Sequence, residues 1–554
     1  MLMTNPILSD LWEKSRIALK AQLEQRPADA VFLEGSIAEG FGNERSDVDF
    51  VAIVDSGLEP ATMPYILFID GRRVEVRLLS THRLRRELGQ VRAALGKGRR
   101  AVARLSWNLL ERCQRFMGAL PIHNPALIRT LQAELGHEAL GEAVGLWFDD
   151  FARQTGRYAV AMVALGESDY ARAWIKTAVF HAAKSHVARL GEHYMSPKWL
   201  SLQLERAAVD PARAGRLWTL LHAPHDDGEA SDAVAAGIAL LRDFGVKGVS
   251  LAPEKILVGR GKGVTSWQIG ERVHILRDRD VFALDSEAGR TWRAITFGTP
   301  CTTIAGSNGG VVAADRRRAL IAEFSRAGLV SLHWKGGGEI RARQRATSAP
   351  VARSPLISID GARLSADLAT SVQLLPMPAE RFVEAGLEMT WANIGLENAR
   401  EDALGALKRG QWRVLEYALQ RMLQTACMVA LGAHGVTPQP TLEEATLDAI
   451  RLLPLDDALI DGMRELERCS IGSEENARNR LALADALRQR LRNLGGEPQF
   501  PASFDTASGW RGTIHAAYDW INLGAHLDAR FPQTAHGGHG TAEEARDLLA
   551  SSGA

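Results

Sequence analysis

The sequence predicts a multidomain α+β protein in which small sheets alternate with helical bundles. With 554 residues, the chain is longer than one hydrophobic core usually serves. Short apolar runs typical of strands occur in two separate regions, and apolar residues at helical spacing fill most of the remainder. We therefore predict a small mixed sheet packed against helices, an α-helical bundle, a small winged-helix-like domain and a carboxy-terminal α-helical bundle, over residues 1–100, 101–245, 246–345 and 378–530. Residues 346–377 are predicted to be a linker, and residues 531–554 a flexible tail.

The composition is typical of a soluble globular protein without a strong net charge. Hydrophobic residues make up 46% of the chain and charged residues 24%, with Lys+Arg and Asp+Glu equal at 66 each. This balance provides no general attraction to an anionic membrane or to nucleic acid, so neither is an expected partner. No stretch approaches the ~18 continuous apolar residues of a membrane span, and the first residues lack the pattern of a signal peptide. The four cysteines form no CxxC pair, which favours buried thiols in a reducing cytoplasm.

The first hundred residues contain a regular succession of short elements. Apolar spacing predicts an amphipathic helix over residues 8–25, followed by an apolar strand over 28–33 and a second strand over 47–54. Two more apolar runs flank Asp70-Gly71, a pair that strongly favours a tight hairpin because glycine readily adopts positive φ. A helix beginning near residue 80 completes a small mixed sheet with helices against it.

Three acids in these strands predict a metal site. Asp47 and Asp49 are two residues apart in a strand, so their side chains point to the same face. Glu75 alternates with apolar residues in a later strand, on the face that also carries Arg73 and Arg77, and an acid there is costly unless it is paired or metal-bound. Mg²⁺ prefers hard oxygen ligands, and two such ions neutralise a triphosphate during nucleotidyl transfer. We predict that all three acids bind two Mg²⁺ ions and that Glu75 can also act as a general base.

The glycine-rich turn before these acids predicts a phosphate site. Gly35 and Ser36 offer backbone N–H groups and a hydroxyl to a nucleoside triphosphate. Arg45 is a further candidate for nucleotide binding, and together with Arg77 it is expected to balance the charge of the acids.

The segment GSIAEGFGNERSDVDFVAIV, residues 35–54, resembles the signature of the DNA polymerase β-type nucleotidyltransferase superfamily, particularly its minimal branch that includes aminoglycoside adenylyltransferases. The resemblance covers roughly the first 100 residues. It implies a five-stranded mixed sheet, ATP or another nucleoside triphosphate as donor, and two Mg²⁺ ions. One departure is Glu75, where many members have Asp, although Glu is accepted in the adenylyltransferase branch. The segment Pro197-Lys198-Trp199-Leu200 resembles a short motif in which the lysine reaches the donor phosphates. The alternative is a surface lysine beside a core tryptophan, and Lys184 is assigned to a solvated helix face.

The middle region predicts a second small α/β module. Short strands are expected at 273–276, 281–284 and 329–332, with helices over 287–295 and 316–327, whereas residues 259–263 look like a flexible linker. This pattern, with Trp292 and a helix ending in Gly-Leu, resembles the PqqD-like peptide-recognition domain. That resemblance implies a leader-peptide binder in which the peptide adds a strand to a sheet edge. The alternatives are a winged helix that only packs the bundles together, or one that binds nucleic acid.

Together these features predict a nucleotidyltransferase that moves a nucleoside monophosphate, with AMP from ATP favoured, onto a hydroxyl or phosphate. The acceptor suggested by the middle module is a ribosomally made precursor peptide. A small aminoglycoside-like acceptor remains an alternative, as does an inert scaffold that binds peptide or DNA. A transferase of the toxin–antitoxin type, acting on protein or tRNA, is favoured only by the twelve Arg or Lys between residues 72 and 112. The oligomeric state is left open.

Overall fold

The structure is a computed structural model. The structure describes residues 6–20, 23, 28–43, 45–54, 65–223, 229–277, 280–296, 298–306, 312–341, 379–433, 450, 453, 455–467, 470–493 and 509. The predicted linker over 346–377 and the predicted tail over 531–554 lie outside these residues. The multidomain α+β organisation is confirmed, because separate sheets alternate with groups of helices along the chain. No helix within the described residues has the length and apolar character that crossing a membrane requires.

Twelve strands are present among the described residues: β1 (Ala28–Glu34), β2 (Val48–Val54), β3 (Tyr65–Ile69), β4 (Arg72–Ser80), β5 (Leu120–His123), β6 (Ile256–Arg260), β7 (Val264–Ile269), β8 (Arg272–Arg277), β9 (Asp280–Leu284), β10 (Thr299–Pro300), β11 (Val330–Trp334) and β12 (Gly338–Glu339). The α-helices of the first 250 residues are α1 (Pro6–Ala18), α2 (Gly35–Ala38), α3 (Thr81–Gly96), α4 (Arg99–Val102), α5 (Trp107–Met117), α6 (Pro125–Ala133), α7 (His137–Leu165), α8 (Ser168–Arg189), α9 (Leu200–Arg206), α10 (Pro211–Leu221) and α11 (Ala230–Asp243). Later helices are α12 (Ser286–Ala294), α13 (Cys301–Gly306), α14 (Ala314–Arg326), α15 (Ala379–Lys408), α16 (Trp412–Ala433), α17 (Asp457–Glu467) and α18 (Glu474–Asn493).

The amino-terminal sheet has five strands in the order β3-β4-β2-β1-β5. Strands β2 and β4 are parallel, and the other neighbours are antiparallel. One face packs on Leu11 and Trp12 of α1, and the other packs on helices α3, α5 and α7. Strand β5 comes from beyond residue 100, within a segment predicted to be helical. The sequence did not predict this strand, because four residues that include a proline give no recognisable strand pattern.

The hairpin between β3 and β4 forms at the predicted place. Asp70 and Gly71 have φ of 50° and 73°, and Ile69 pairs with Arg72. Positive φ at both central residues matches the right-handed twist of the two strands. This turn fixes the register of β4 and hence the face to which Glu75 points.

The middle region contains two sheets, and its core is continuous with that of the first helical bundle. Strands β8 and β9 and helices α12 and α14 lie at the predicted places. The interpretation of residues 259–263 as a linker is wrong for its first two residues. Gly259 and Arg260 belong to β6, which pairs with β10 and β11 in the four-stranded sheet, so tertiary pairing overrides the low strand propensity of the glycine.

The second bundle packs against the amino-terminal domain rather than standing apart from it. Its helices α15, α16, α17 and α18 share one hydrophobic core with Phe41, Tyr194 and Trp199. Phe41 stacks on both of the other rings, with centroid distances of 5.6 Å and 5.4 Å. Because Phe41 follows the Gly35-Ser36 turn closely, this packing brings α15 to the same edge of the sheet as the predicted site.

Candidate active site

The strand register brings the three predicted acids together. Strand β1 runs antiparallel to β2, and β2 runs parallel to β4, so Asp49 lies between Glu34 and Glu75 on neighbouring strands. Asp47 directly precedes β2. One carboxylate oxygen from each of Asp47, Asp49 and Glu75 lies within 4.8 Å of the other two, and this is the one such group of potential metal ligands within the described ranges. The convergence expected from the alternation in each strand is therefore present in the fold.

These carboxylates lie in a partly enclosed position that a small ion can reach. The side chains of Asp47, Asp49 and Glu75 are 30%, 15% and 22% exposed to solvent. Three hard oxygen donors in one small volume are the kind of ligand set that Mg²⁺ and Mn²⁺ take. The residues present thus fit a divalent cation.

The electrostatics of the cluster are unfavourable without a cation. Burial raises the pKa of Asp49 well above its usual range, and the charges of Asp47 and Glu75 raise it further. Burial and the charge of Asp47 also raise the pKa of Glu75. Burial opposes ionisation of Asp47 as well, but the charge and hydrogen bond of Arg73 outweigh it and leave its pKa lowered. Like charges held this close disfavour full ionisation, and a bound cation removes that penalty.

Two arginines of the surrounding elements neutralise part of this charge. Arg73 donates a hydrogen bond to Asp47 at 2.6 Å, and its Nε lies 3.4 Å from Glu75. Arg115 of α5 lies 3.5 Å from Glu34 and 3.8 Å from Asp49. Each guanidinium group thus contacts two acids, and its charge offsets part of the repulsion between them.

The expected charge balance by Arg45 and Arg77 needs correction. Arg77 pairs at 2.5 Å with the buried Glu34, although its charge also favours ionised Glu75. Arg45 lies on the loop after the glycine-rich turn, where it faces Glu401 of α15 at 3.4 Å. The contacts to the acids come instead from Arg73, which shares the face of Glu75, and from Arg115, which is distant in sequence.

The turn at Gly35 and Ser36 lies directly against the acids. Gly35 has φ of +79°, and a Cβ at this position would overlap the Oδ2 atom of Asp49. Only glycine therefore satisfies both the backbone conformation and the close approach of the carboxylate. Ser36 follows in the short helix α2 and is partly exposed.

Lys198 lies close enough to Asp47 for its charge to act on that carboxyl. Burial raises the pKa of Asp47, and Arg73 lowers it. The charge of Lys198 lowers it further. The Lys198 ammonium donates a hydrogen bond to Asp402 of α15 at 2.6 Å and lies 5.1 Å from the centre of the Trp199 ring. Trp199 itself is buried, which anchors the backbone on which Lys198 stands.

Lys184 is not on a solvated helix face, and that expectation is wrong. Its side chain is 1% exposed, and its ammonium donates hydrogen bonds to the backbone oxygens of Tyr194 and Ser196 and to Gln203 Oε1, at 2.6 Å to 3.0 Å. Three acceptors satisfy the three N–H groups of the ammonium form, although burial lowers the pKa of this amine to about 7. Lys184 therefore holds the segment that carries Lys198, a role that a helical sequence pattern does not reveal.

The sequence reasoning also missed Glu34 as a neighbour of the acids. Glu34 ends β1 on the face shared by Ala30 and Phe32, so the two-residue period of that strand contained the signal. The contribution of α15, by contrast, has no local signal.

Comparison with known proteins gives little further information. No family model matches the chain, and no curated protein matches it. Among solved structures, the chain is similar to a nucleotidyltransferase-like protein from Exiguobacterium sibiricum 255-15, at 16% sequence identity and a TM-score of 0.27, over 42% of this chain and 74% of that chain. At this identity and TM-score, the similarity does not identify the family of this chain.

Proposed function

We propose that this chain is a Mg²⁺-dependent nucleotidyltransferase that transfers a nucleoside monophosphate, AMP from ATP in the favoured case, to an acceptor. One observation carries the proposal. Asp47, Asp49 and Glu75, from two adjoining strands, place carboxylate oxygens within 4.8 Å of one another, directly beside the Gly35 turn. Such a group costs stability in the absence of a cation, so it is better explained as a binding site than as a structural feature.

Asp47, Asp49 and Glu75 would hold the metal through their carboxylate oxygens. When bound, two Mg²⁺ ions would neutralise the triphosphate and polarise the acceptor oxygen. Arg73 keeps Asp47 ionised, because its charge and hydrogen bond lower the pKa of that carboxyl despite burial. The lowered pKa favours the ionised form of Asp47, which is the form that binds a cation.

The donor phosphates would lie between the turn and Lys198. Ser36 offers its hydroxyl and Gly35 its backbone N–H, while Lys198 supplies a positive charge on the side of Asp47. Arg45 extends this positive region on the neighbouring loop. These groups orient a polyanion so that its α-phosphate faces the acids.

The transfer itself exchanges one phosphate bond for another. The acceptor oxygen forms a bond to the α-phosphorus, the bond from that phosphorus to the bridging oxygen breaks, and pyrophosphate leaves. The proton of an acceptor hydroxyl passes to the Glu75 carboxylate.

Pyrophosphate release tests the proposal. Wild-type protein is incubated with Mg²⁺, each of the four ribonucleoside triphosphates and a panel of aminoglycosides or serine-containing peptides. We expect release with at least one combination and none from Asp47→Asn or Asp49→Asn, whereas Asp169→Asn, an exposed acid of α8, retains it. Wild-type-like turnover in either site variant would defeat the assignment.

We further propose that the acceptor is a peptide that docks on the middle module. The three-stranded sheet β7-β8-β9 leaves β7 and β9 with one neighbour each within that sheet. Its outer surface carries Trp267, Ile269, Leu276 and Val281, which are 76%, 60%, 43% and 66% exposed. A cluster of large exposed apolar side chains beside an open strand edge suits an extended peptide, which gains backbone hydrogen bonds at the edge and pockets for its side chains.

The peptide proposal has its own test. If a short precursor peptide is encoded beside this gene, that peptide should bind the wild-type protein, and Trp267→Ser should weaken binding at least about tenfold. Leu251→Ser, an exposed apolar residue outside this sheet, serves as the control. Equal binding by the Trp267 variant would instead favour a small acceptor held near the acids.

A further inference from the structure

Helix α15 of the second bundle presents polar residues to the cations of the candidate site. Asn398 accepts a hydrogen bond from Arg73 at 3.2 Å, Glu401 lies 3.4 Å from Arg45, and Asp402 accepts a hydrogen bond from Lys198 at 2.6 Å. The spacing of three and four residues places all of these side chains on one face of the helix. Both cations assigned above to the donor phosphates are therefore in contact with acids from a distant part of the chain.

The contact between α15 and the site is tightly packed. A Cβ at Gly405 would overlap the side-chain amide of Asn43, so the helix backbone approaches the loop after the glycine-rich turn closely. Arg409 donates a hydrogen bond to the backbone oxygen of Gly42 at 2.7 Å. Phe41 lies in the core of the bundle. Because a buried core would have to separate before the helix could leave, α15 stays in place while its polar side chains can rearrange.

We propose that Glu401 and Asp402 hold Arg45 and Lys198 in the nucleotide-free state by occupying the positions of donor phosphates, so that nucleotide binding must displace these two acids. The inference rests on the proposed function of the site. Lys198 and Asp402 are 21% and 32% exposed, so their ion pair can exchange partners without unfolding the interface. The pairs keep each cation ordered before the nucleotide arrives, and they lower the affinity of the empty site for polyanions in general. Helix α15 thereby sets the threshold for donor binding.

The affinity for nucleotide in the absence of any acceptor tests the inference. The probe is α,β-methylene-ATP with Mg²⁺, titrated by calorimetry into the full-length protein. Asp402→Asn should bind the probe about fivefold more tightly than the wild type, which corresponds to about 1 kcal/mol, since a partly exposed ion pair is worth no more than that. The double variant Glu401→Gln/Asp402→Asn should gain more than the single variant.

Asp485→Asn is the matched control. Asp485 belongs to the same bundle, is 32% exposed like Asp402, and pairs with Arg400 at 2.8 Å rather than with a cation of the site. Its substitution removes the same charge and should leave the affinity for the probe unchanged. Thermal unfolding without nucleotide shows whether all variants are folded.

The outcomes distinguish the inference from the proposed function. Equal or weaker binding of the probe by Asp402→Asn overturns the inference. If neither the wild type nor any variant binds the probe, the proposed transfer of AMP from ATP fails, and the inference falls with it. Tighter binding confined to the α15 acids supports both.

Discussion

The substitution Asp49→Asn should make the metal-free protein more stable, although it removes a central residue of the site. Two unit charges 4.8 Å apart repel by about 3 to 4 kcal/mol at an effective dielectric constant of 20. Arg115, 3.8 Å from Asp49, offsets part of this, but the pKa of Asp49 stays raised by burial and by Asp47 and Glu75, so the net effect of ionisation is unfavourable. We expect a gain of about 1 to 2 kcal/mol in the free energy of unfolding at pH 8.

Divalent metal should reverse this order. At a concentration of Mn²⁺ about a hundredfold above its dissociation constant, the wild type should gain about 2.7 kcal/mol, whereas the variant should gain little. The two proteins therefore exchange places: the variant is more stable without metal, and the wild type is more stable with it. A purely structural acid cluster predicts no such exchange.

Amide hydrogen exchange in strands β2 and β4 is the appropriate assay. A melting temperature of a multidomain chain combines several transitions, whereas exchange reports the opening free energy of this sheet. The raised pKa means that the folded state takes up a proton at higher pH than the unfolded chain. The advantage of the variant is therefore largest at high pH and disappears as the pH falls below the ordinary range of an aspartate. Asp169→Asn is the control, and a variant that is less stable than the wild type without metal at pH 8 would refute the reasoning.

Three further predictions follow from the same geometry. Gly35→Ala should lower the free energy of unfolding by at least about 1 to 2 kcal/mol because of its positive φ and its overlap with Asp49, and it should abolish Mn²⁺ stabilisation. Amide hydrogen exchange in β2 and β4 with and without Mn²⁺ measures both effects. Gly98→Ala, at a position with positive φ but open space around it, isolates the strain. Lys184→Met should lower the free energy of unfolding by about 3 kcal/mol, since three oxygen acceptors lose their donor. Amide hydrogen exchange in α8 measures this change, and a loss below about 1 kcal/mol would contradict the role given to this amine. The affinity for Mn²⁺ should fall as the pH is lowered, because burial and neighbouring acids raise the pKa of both Asp49 and Glu75 and protons compete with the ion. A calorimetric affinity that does not depend on pH would contradict these directions.

The acids illustrate a compromise between stability and binding. Three carboxylates and the neighbouring Glu34 are opposed by Arg73, Arg77 and Arg115, which reduces their repulsion without removing it. Cation binding removes the remaining repulsion between the carboxylates. Substitutions of these acids are therefore expected to change metal affinity and metal-free stability in opposite directions. Asp49→Asn follows this expectation, whereas Gly35→Ala lowers both quantities because it adds backbone strain.

The sequence by itself determined those features whose signals are local. The two-residue period of a strand places Asp47 and Asp49 on one face. The same period places Glu75 on the face of β4 that does not carry the apolar Val74 and Val76. The Asp70-Gly71 pair determines the hairpin that sets the register of β4, because few residues adopt the positive φ of that turn. Helix boundaries in the middle module were also readable, since apolar spacing and a terminal glycine act over a few residues.

Only the tertiary structure decided which distant residues meet at the site. Strand β5, the guanidinium of Arg115 and the buried amine of Lys184 depend on how helices pack against the sheet, and no local spacing encodes that packing. The most distant case is α15, whose Asp402 lies 204 residues from Lys198 in sequence and 2.6 Å from it in the fold. Burial of Phe41 in the second bundle brings them together, because hydrophobic packing acts between surfaces rather than between neighbours in the chain.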